Sequence, residues 1–283
     1  MVLALLALNF TAVDRAYDDA ATHAQHTAYR TELETMLPQA ASAKEKAEVL
    51  WRLSRACYMQ GDSAEEKDVK RAFFAEGYTY GDEASLVDPT NEQGIVWRCA
   101  NMAGDALTRN MAAQVKAASR LTKDFTKVID KLGKTSCDSA WYGLAEVYWR
   151  NPFRPSDVGV NYARKAAVSI PANALNLGTY HLLANMLYKR NWSREERASA
   201  RKENIPVFSS ATSNTEKYGA FDGVTGAEAV LPWGADIFTT CSDREEARAV
   251  VKYALQRYQN AARVKPEDKL ALKKLQTLSK KLD

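Results

Sequence analysis

Amphipathic helical periodicity runs through nearly the whole chain of 283 residues, and it limits the fold more than any other feature. Apolar side chains recur at steps of three and four residues, as in the stripe of Val49, Leu53 and Cys57. Proline or glycine follows most of these segments, where either residue ends a helix. No segment has a convincing strand pattern, so the sequence predicts an all-α protein.

The positions of the predicted helices follow from this periodicity and from its breaks. They are 16–36, 44–60, 63–86, 93–107, 111–132, 137–150, 157–169, 174–189, 193–202, 243–264 and 267–282. Ser63 and Glu66 have the spacing of a capping box at the start of the third helix. The pattern fails at about 204–241, a stretch with Pro206, Pro232 and four glycines, which we interpret as an irregular insertion.

A pattern of small and aromatic residues ending in proline recurs three times with the same internal spacing. Small residues allow neighbouring helices to pack closely, and proline ends the second helix of a hairpin. The copies are Gly77, Gly81, Ala84, Pro89; Gly159, Ala163, Ala166, Pro171; and Ala254, Tyr258, Ala261, Pro266. The recurrence predicts a TPR-like solenoid of helical hairpins, forming one domain over 14–283 and closed by a capping helix at 267–282.

The run Ala47-Glu-Val-Leu-Trp-Arg-Leu-Ser-Arg-Ala56, with the order of helices after it, resembles the regulator of microtubule dynamics family. The likeness extends over residues 14–283, is strongest at 47–58 and departs at 204–241. The helical framework is also similar to that of TPR-like periplasmic proteins associated with TRAP transporters. These resemblances imply an all-α TPR-like fold that binds a protein or an apolar ligand such as a lipid, with no catalytic residues to transfer.

Composition and residue spacing argue against several classes of function. The net charge of +4, from 39 basic and 35 acidic residues, is too small to indicate a nucleic-acid partner. The four cysteines are far apart and form no CxxC motif, so we expect buried free thiols. His23 and His26 lack a nearby acid that would complete a helical zinc motif. We therefore expect no metal, no cofactor, no catalytic residue and no enzymatic activity.

Residues 1–13 are mostly apolar, but the run is too short to span a bilayer, and no transmembrane span is predicted elsewhere. They are read either as the apolar part of a secretory signal or as the start of the first helix. The first interpretation places the protein outside the cytoplasm, in the periplasm of a bacterium, and the second places it in the cytoplasm.

Aromatic and polar residues fall on the helices that would line the inner surface of a solenoid. Packing between repeats is the default interpretation, and an apolar cavity or peptide groove is the functional one. The candidate groove residues are Trp51, Arg55, Tyr58, Trp97, Asn101, Trp141, Tyr142, Tyr148, Tyr180 and Asn185. The insertion adds Tyr218, Phe221 and Trp233, which we interpret as a candidate lid over the groove.

Two hypotheses about function follow from these features. The first is a non-catalytic TPR-like binding protein that acts as a scaffold or adaptor for a protein partner. The alternative is a binding protein or carrier for a hydrophobic small molecule or lipid, associated with a transporter. Native mass spectrometry distinguishes them, because a carrier would co-purify with a lipid-sized adduct.

Overall fold

The computed structural model describes residues 8–151 and 153–282 and is all-α, as the sequence predicts. Within these residues it contains 14 α-helices and no strand. The helices form two compact units, one up to Val128 and one from Ile129, and the predicted domain 14–283 includes parts of both. None of the described helices is long and apolar enough to cross a membrane. Of the apolar N-terminus at 1–13, which suggested a secretory signal, residues 1–7 lie outside the described residues, and Phe10 to Val13 form the start of the first helix.

The first unit is a series of helices in which each packs mainly against its neighbours in sequence. The helices are α1 (Phe10–Asp19), α2 (His23–Met36), α3 (Ala43–Ser63), α4 (Lys67–Val87), α5 (Glu92–Leu107) and α6 (Met111–Thr126). Packing pairs α2 with α3, α3 with α4, α4 with α5, and α5 with α6. The α4–α5 contact depends on Gly81, because a Cβ there would lie 2.8 Å from the backbone nitrogen of Arg98. The small residues of the repeated pattern therefore serve close helix packing, as expected.

The junction between α3 and α4 differs from the sequence prediction. Helix α3 continues past Gly61 to Ser63, and α4 begins at Lys67 without a side-chain cap, so the predicted capping box of Ser63 and Glu66 is wrong. The physical reason is the position of Phe74 on α4. A Cβ at Gly61 would lie 2.7 Å from the Phe74 ring, so this glycine makes room for a side chain and does not end the helix.

The second unit contains two helical hairpins. A long excursion of the chain lies between the two helices of the second hairpin. Its helices are α7 (Asp138–Arg150), α8 (Ser156–Ser169), α9 (Leu177–Arg190), α10 (Arg194–Ser210), α11 (Asn214–Gly219), α12 (Ile237–Thr240), α13 (Asp243–Gln259) and α14 (Pro266–Leu282). Helix α7 packs on α8, while α9 packs on α13 and α14 packs on both. The excursion explains why Pro171 and Pro266, equivalent positions of the repeated pattern, are so far apart in sequence.

The region 204–241 is more helical than the sequence indicated. Helix α10 continues through Pro206 to Ser210, and not to 202 as predicted. Proline removes one backbone hydrogen-bond donor from a helix. Here tertiary contacts hold the helical turn that contains Pro206. A Cβ at Gly223 would lie 2.3 Å from the Asn204 carbonyl oxygen, so the chain after α11 packs directly on the α10 backbone. Arg201 also donates a hydrogen bond of 2.8 Å to the Val224 carbonyl.

An enclosed cluster of charges ties α8, α9, α10 and α13 together within the second unit. Arg164 donates two hydrogen bonds, of 2.9 and 2.7 Å, to the carboxylate of Glu246, and both side chains are fully buried. Arg197 lies 2.8 Å from the same carboxylate, and Arg190 pairs with Asp243 at 2.7 Å. Burial alone raises the pKa of Glu246, but the charges of Arg164 and Arg197 outweigh it and lower this pKa to about 2. The cluster therefore holds ionised groups inside the unit.

The C-terminal helix matches the predicted capping helix at 267–282. Helix α14 buries the expected stripe of Ala271, Leu275, Leu278 and Leu282. The side chain of Asp268 on its first turn accepts a hydrogen bond of 2.8 Å from the backbone of Leu177 at the start of α9. This contact fixes the start of α14 against the second hairpin.

Candidate functional site

Trp51 and Arg55 lie together in the first unit, where Arg55 holds α1 and α2 against α3 and Trp51 packs with Ala84 of α4. The guanidinium of Arg55 lies 3.6 Å from the centroid of the Tyr17 ring and donates hydrogen bonds to Asp14, at 2.9 Å, and to the Tyr29 hydroxyl, at 2.6 Å. Burial raises the pKa of Asp14, but hydrogen bonds and charge from the neighbouring arginines outweigh this and lower it. Trp51 is only 7% exposed. These two candidate groove residues therefore pack between helices in this structure.

Tyr58, Trp97 and Asn101 occupy the α3–α4–α5 interface. The Tyr58 ring is half-buried and lies 5.8 Å from the ring of Trp97. Asn101 is fully buried, and its amide donates hydrogen bonds to the Ser54 carbonyl and to the Trp97 carbonyl, both at 2.9 Å. A Cβ at Gly77 would overlap the Asn101 side chain, so this amide fills the space left by the glycine.

In the second unit Trp141, Tyr148 and Tyr218 share one aromatic cluster. Trp141 is fully buried, donates a hydrogen bond of 2.8 Å to the Thr135 carbonyl, and lies 5.4 Å from the Tyr218 ring. Tyr148 reaches the same cluster through Tyr162, with ring centroids 5.2 Å apart. Tyr218, a candidate lid residue, therefore packs against a candidate groove residue.

The remaining candidates of the second unit are spread over other parts of it. Tyr180 and Trp233 lie on either side of Tyr253, at ring distances of 5.6 and 6.3 Å, and both are buried. Phe221 is buried against Phe238, at 5.7 Å. The last two, Tyr142 and Asn185, are half-buried. Each unit thus contains its own aromatic packing, and the groove assignment of these side chains stays a prediction.

A groove that the sequence did not indicate lies between α5 and α6, with a volume of about 970 Å³. Small and flexible apolar residues form its floor, and seven of the twelve lining residues are charged. The lining consists of Arg98, Met102, Asp105, Ala106, Arg109, Ala113, Lys116, Ala117, Ser119, Arg120, Lys123 and Asp124. Ligand sites for apolar molecules are lined mostly by hydrophobic side chains, so this groove suits a charged ligand.

Each of the two acids in the α5–α6 groove is paired with an arginine. Arg98 lies 2.9 Å from Asp124, and Arg109 lies 2.7 Å from Asp105. Burial lowers the pKa of Arg98, but the charge of Asp124 and other acidic neighbours outweigh it and raise this pKa. One nitrogen, Nε of Arg98, is buried and has no hydrogen-bond partner among the described residues. The arginines therefore neutralise the acids, and the remaining cations give the groove its positive sign.

Three of these cations form a row along α6. Lys116, Arg120 and Lys123 stand at steps of four and three residues, so they lie on one face of the helix. Lys116 and Lys123 have no ion-pair partner in the described part of the chain, while Arg120 lies over the ring of Tyr78 and 4.0 Å from the carboxylate of Asp124. Like charges at this spacing destabilise a helix slightly, and an anionic ligand would remove that cost. The spacing was visible in the sequence, but the facing helix that makes a groove was not.

The groove contains neither histidine nor cysteine, and none of the described residues form a group of three or more possible metal ligands.

No curated protein matches the chain. The family model described as Regulator of microtubule dynamics protein 1-3 matches residues 10–131. This range includes α1 to α6 and the whole α5–α6 groove, while the likeness beyond 131 stays a prediction. Over residues 10–131 the chain thus matches the regulator of microtubule dynamics family, which confirms the resemblance read from the sequence.

Proposed function

We propose that this chain is a non-catalytic binding protein that holds a protein partner, and that the α5–α6 groove receives an acidic segment of that partner. The observation that carries the proposal is the cation row of Lys116, Arg120 and Lys123 along a groove of about 970 Å³. The groove lies entirely within the family-matched range, so it can serve an activity that the family shares.

The charges of the groove favour an acidic polypeptide over an apolar molecule. Its wall is mostly charged, which would leave ionised groups facing a lipid tail at high cost. An extended acidic segment would instead place carboxylates opposite Lys116 and Lys123, and the half-buried side chain of Met102 with the small floor residues would accept its apolar side chains. A groove between hairpins of an α-helical repeat protein is suited to this kind of recognition.

The same chemistry supports binding and not catalysis. Both acids of the groove are paired with arginines. Ser119 is the hydroxyl residue of the lining, and no histidine accompanies it there to activate it. We therefore assign no catalytic role to the groove.

The family description names the regulation of microtubule dynamics, so polymerised tubulin is the first partner to test. The full chain is co-sedimented with microtubules, and its affinity for a fluorescein-labelled glutamate-rich peptide is measured by anisotropy. The test variant carries Lys116→Glu and Lys123→Glu. The control variant carries Lys44→Glu and Lys67→Glu, which make the same change of net charge at two exposed lysines outside the groove.

We expect the groove variant to bind the acidic peptide about tenfold more weakly than the wild type, since two attractive contacts become repulsive. The control variant should bind within about twofold of the wild type at moderate salt, because distant charges are screened. Equal losses in the two variants would show that net charge alone drives binding, and would refute the groove. A lipid-sized adduct in native mass spectrometry, with no peptide binding, would favour the carrier.

A further inference from the structure

The C-terminal part of the chain carries a strong positive charge that the overall balance conceals. Residues 247–283 contain ten lysine and arginine residues against three acidic residues, although the whole chain has a net charge of only +4. The rest of the chain is therefore net negative. A separation of this size directs one part of the molecule towards anionic surfaces.

Helix α14 presents most of this charge on its outer face. At 100° per residue, its five lysines fall within an arc of roughly 140° opposite the buried apolar stripe. They are Lys269, Lys273, Lys274, Lys280 and Lys281, and all five are exposed. None of them has an ion-pair partner in the part of the chain that the structure describes. Leu270, 57% exposed, lies near the middle of the same arc.

Cations on two neighbouring helices extend this basic face. Arg244 and Arg248 of α13 donate hydrogen bonds of 3.0 and 2.8 Å to the carbonyls of Lys281 and Leu282, so their charges stand at the end of α14. Lys189 on α9 is also exposed. Burial lowers the pKa of His181, and the charges of Lys274 and Lys189 lower it further, so both lysines lie close to this histidine.

The composition of the face distinguishes between two kinds of anionic target. Recognition of particular carboxylates is typically made by arginine, whose planar guanidinium binds them through two hydrogen bonds. Here the exposed cations of α14 are all lysines, which act as point charges, and the guanidiniums of Arg244 and Arg248 are occupied by backbone carbonyls. A row of lysines with a leucine at its centre suits a continuous anionic surface with an apolar layer beneath.

We propose that the outer face of α14 docks on a bilayer surface rich in anionic lipids, with its lysines at the headgroups and Leu270 directed into the interface. The attraction is electrostatic and reversible, since a single exposed leucine contributes little burial. This surface lies in the second unit and shares no residue with the α5–α6 groove, so each can be tested by its own variant.

The experiment measures flotation of the full chain with vesicles of phosphatidylcholine, with and without added phosphatidylserine. The test variant carries Lys273→Glu and Lys280→Glu, both on the outer arc. The control is again Lys44→Glu with Lys67→Glu, which changes the net charge equally. Circular dichroism checks that both variants keep the helical content of the wild type, as exposed substitutions should.

We expect binding to phosphatidylserine vesicles only, with loss at high salt. Each lysine near an anionic surface strengthens binding about fivefold, so the loss of two lysines should lower the affinity about 25-fold. The test variant reverses both charges, so its affinity should fall by more than this. The control should stay within a few-fold of the wild type. Three results would each overturn the proposal. They are equal losses of binding in the two variants, binding to polyglutamate but not to vesicles, and no vesicle binding at low salt.

Discussion

Replacement of Glu246 by glutamine should destabilise the second unit far more than the same replacement at its neighbour Glu245. Glu246 is fully buried and accepts hydrogen bonds from Arg164, while Arg197 lies 2.8 Å away. Glutamine keeps the size and one acceptor oxygen of the side chain but removes its charge. The buried guanidiniums of Arg164 and Arg197 would then have too little negative charge to balance them, because the remaining nearby carboxylates are those of Asp243 and Asp222.

Two estimates of the cost agree. Removing one partner of a buried ion pair typically costs about 3–5 kcal/mol. Independently, the pKa of Glu246 falls from 4.5 to about 2 on folding, because the neighbouring arginines outweigh the effect of burial. That difference corresponds to roughly 3 kcal/mol of folding free energy at neutral pH. Because the folded-state pKa is the lower one, this contribution is present above pH 4.5 and is lost as pH falls towards 2, with roughly 1 kcal/mol lost by pH 3.5.

Urea unfolding at pH 7 and pH 3.5 measures this effect, and hydrogen exchange of peptides from α8 and α13 assigns it to the second unit. Glu245→Gln is the matched control. Hydrogen bonds from Arg194 and Ser242 also lower the pKa of Glu245 to about 2, but the side chains of both ion-pair partners are at least 36% exposed, so solvent screening leaves this pair little effect on stability. Glutamine also preserves the capping box with Ser242. The gap in stability between the wild type and Glu246→Gln should be smaller at pH 3.5 than at pH 7. Equal effects of the two substitutions, or a gap that does not change with pH, would refute the reasoning.

Three further predictions concern single positions. In thermal or urea unfolding, Gly81→Ala should lower the free energy of unfolding by about 1–2 kcal/mol, because the new Cβ would meet the α5 backbone. Gly178→Ala is the control: its Cβ would have no atom closer than 3.5 Å, so it should raise the free energy of unfolding by about 0.5 kcal/mol. Asp14→Ala should lower the free energy of unfolding by about 1–2 kcal/mol, a value reduced for solvent screening because this side chain is 39% exposed. It should also accelerate proteolysis between α1 and α2. Ellman's reagent at pH 8 should modify only Cys241 in the folded chain, because the other three cysteines are buried. Burial also raises the pKa of Cys57 to about 12. Rapid reaction of a second thiol would contradict this prediction.

The helices could be predicted because their periodicity is a local property of the sequence. The predicted helix 16–36 is divided at residues 20–22, where Thr22 caps α2, and the predicted helix 243–264 ends at Gln259. Two other errors occur where a glycine or proline has a tertiary role. Gly61 makes room for Phe74, and Pro206 lies in a helix held by the chain around Gly223, so reading each as a helix end failed. The pairing of α9 with α13 could not be read from the repeated pattern, because the copies ending at Pro171 and Pro266 lie on α8 and α13, which are the second helices of two different hairpins.

The candidate site was harder to predict than the fold, for a physical reason. The sequence drew attention to aromatic residues, and many of these pack between helices, as Trp141 does in its cluster with Tyr162. The α5–α6 groove exists only because two helices leave a space between them, and the periodicity of one helix holds no information about that distance. The buried pair of Arg164 and Glu246 likewise joins residues 82 positions apart.

Net charge was the least informative of the sequence features, because the fold separates cations by type. The buried charged residues of the described chain include arginines such as Arg55, Arg98 and Arg164, but no lysine. Guanidiniums can satisfy several acceptors at once, so they tolerate burial beside carboxylates, whereas ammonium groups favour water. Lysines are therefore left on the surface, in the row on α6 and on the outer face of α14. Salt should accordingly weaken binding at both surfaces, since exposed charges are screened, and should leave the buried arginine clusters and the helical content nearly unchanged.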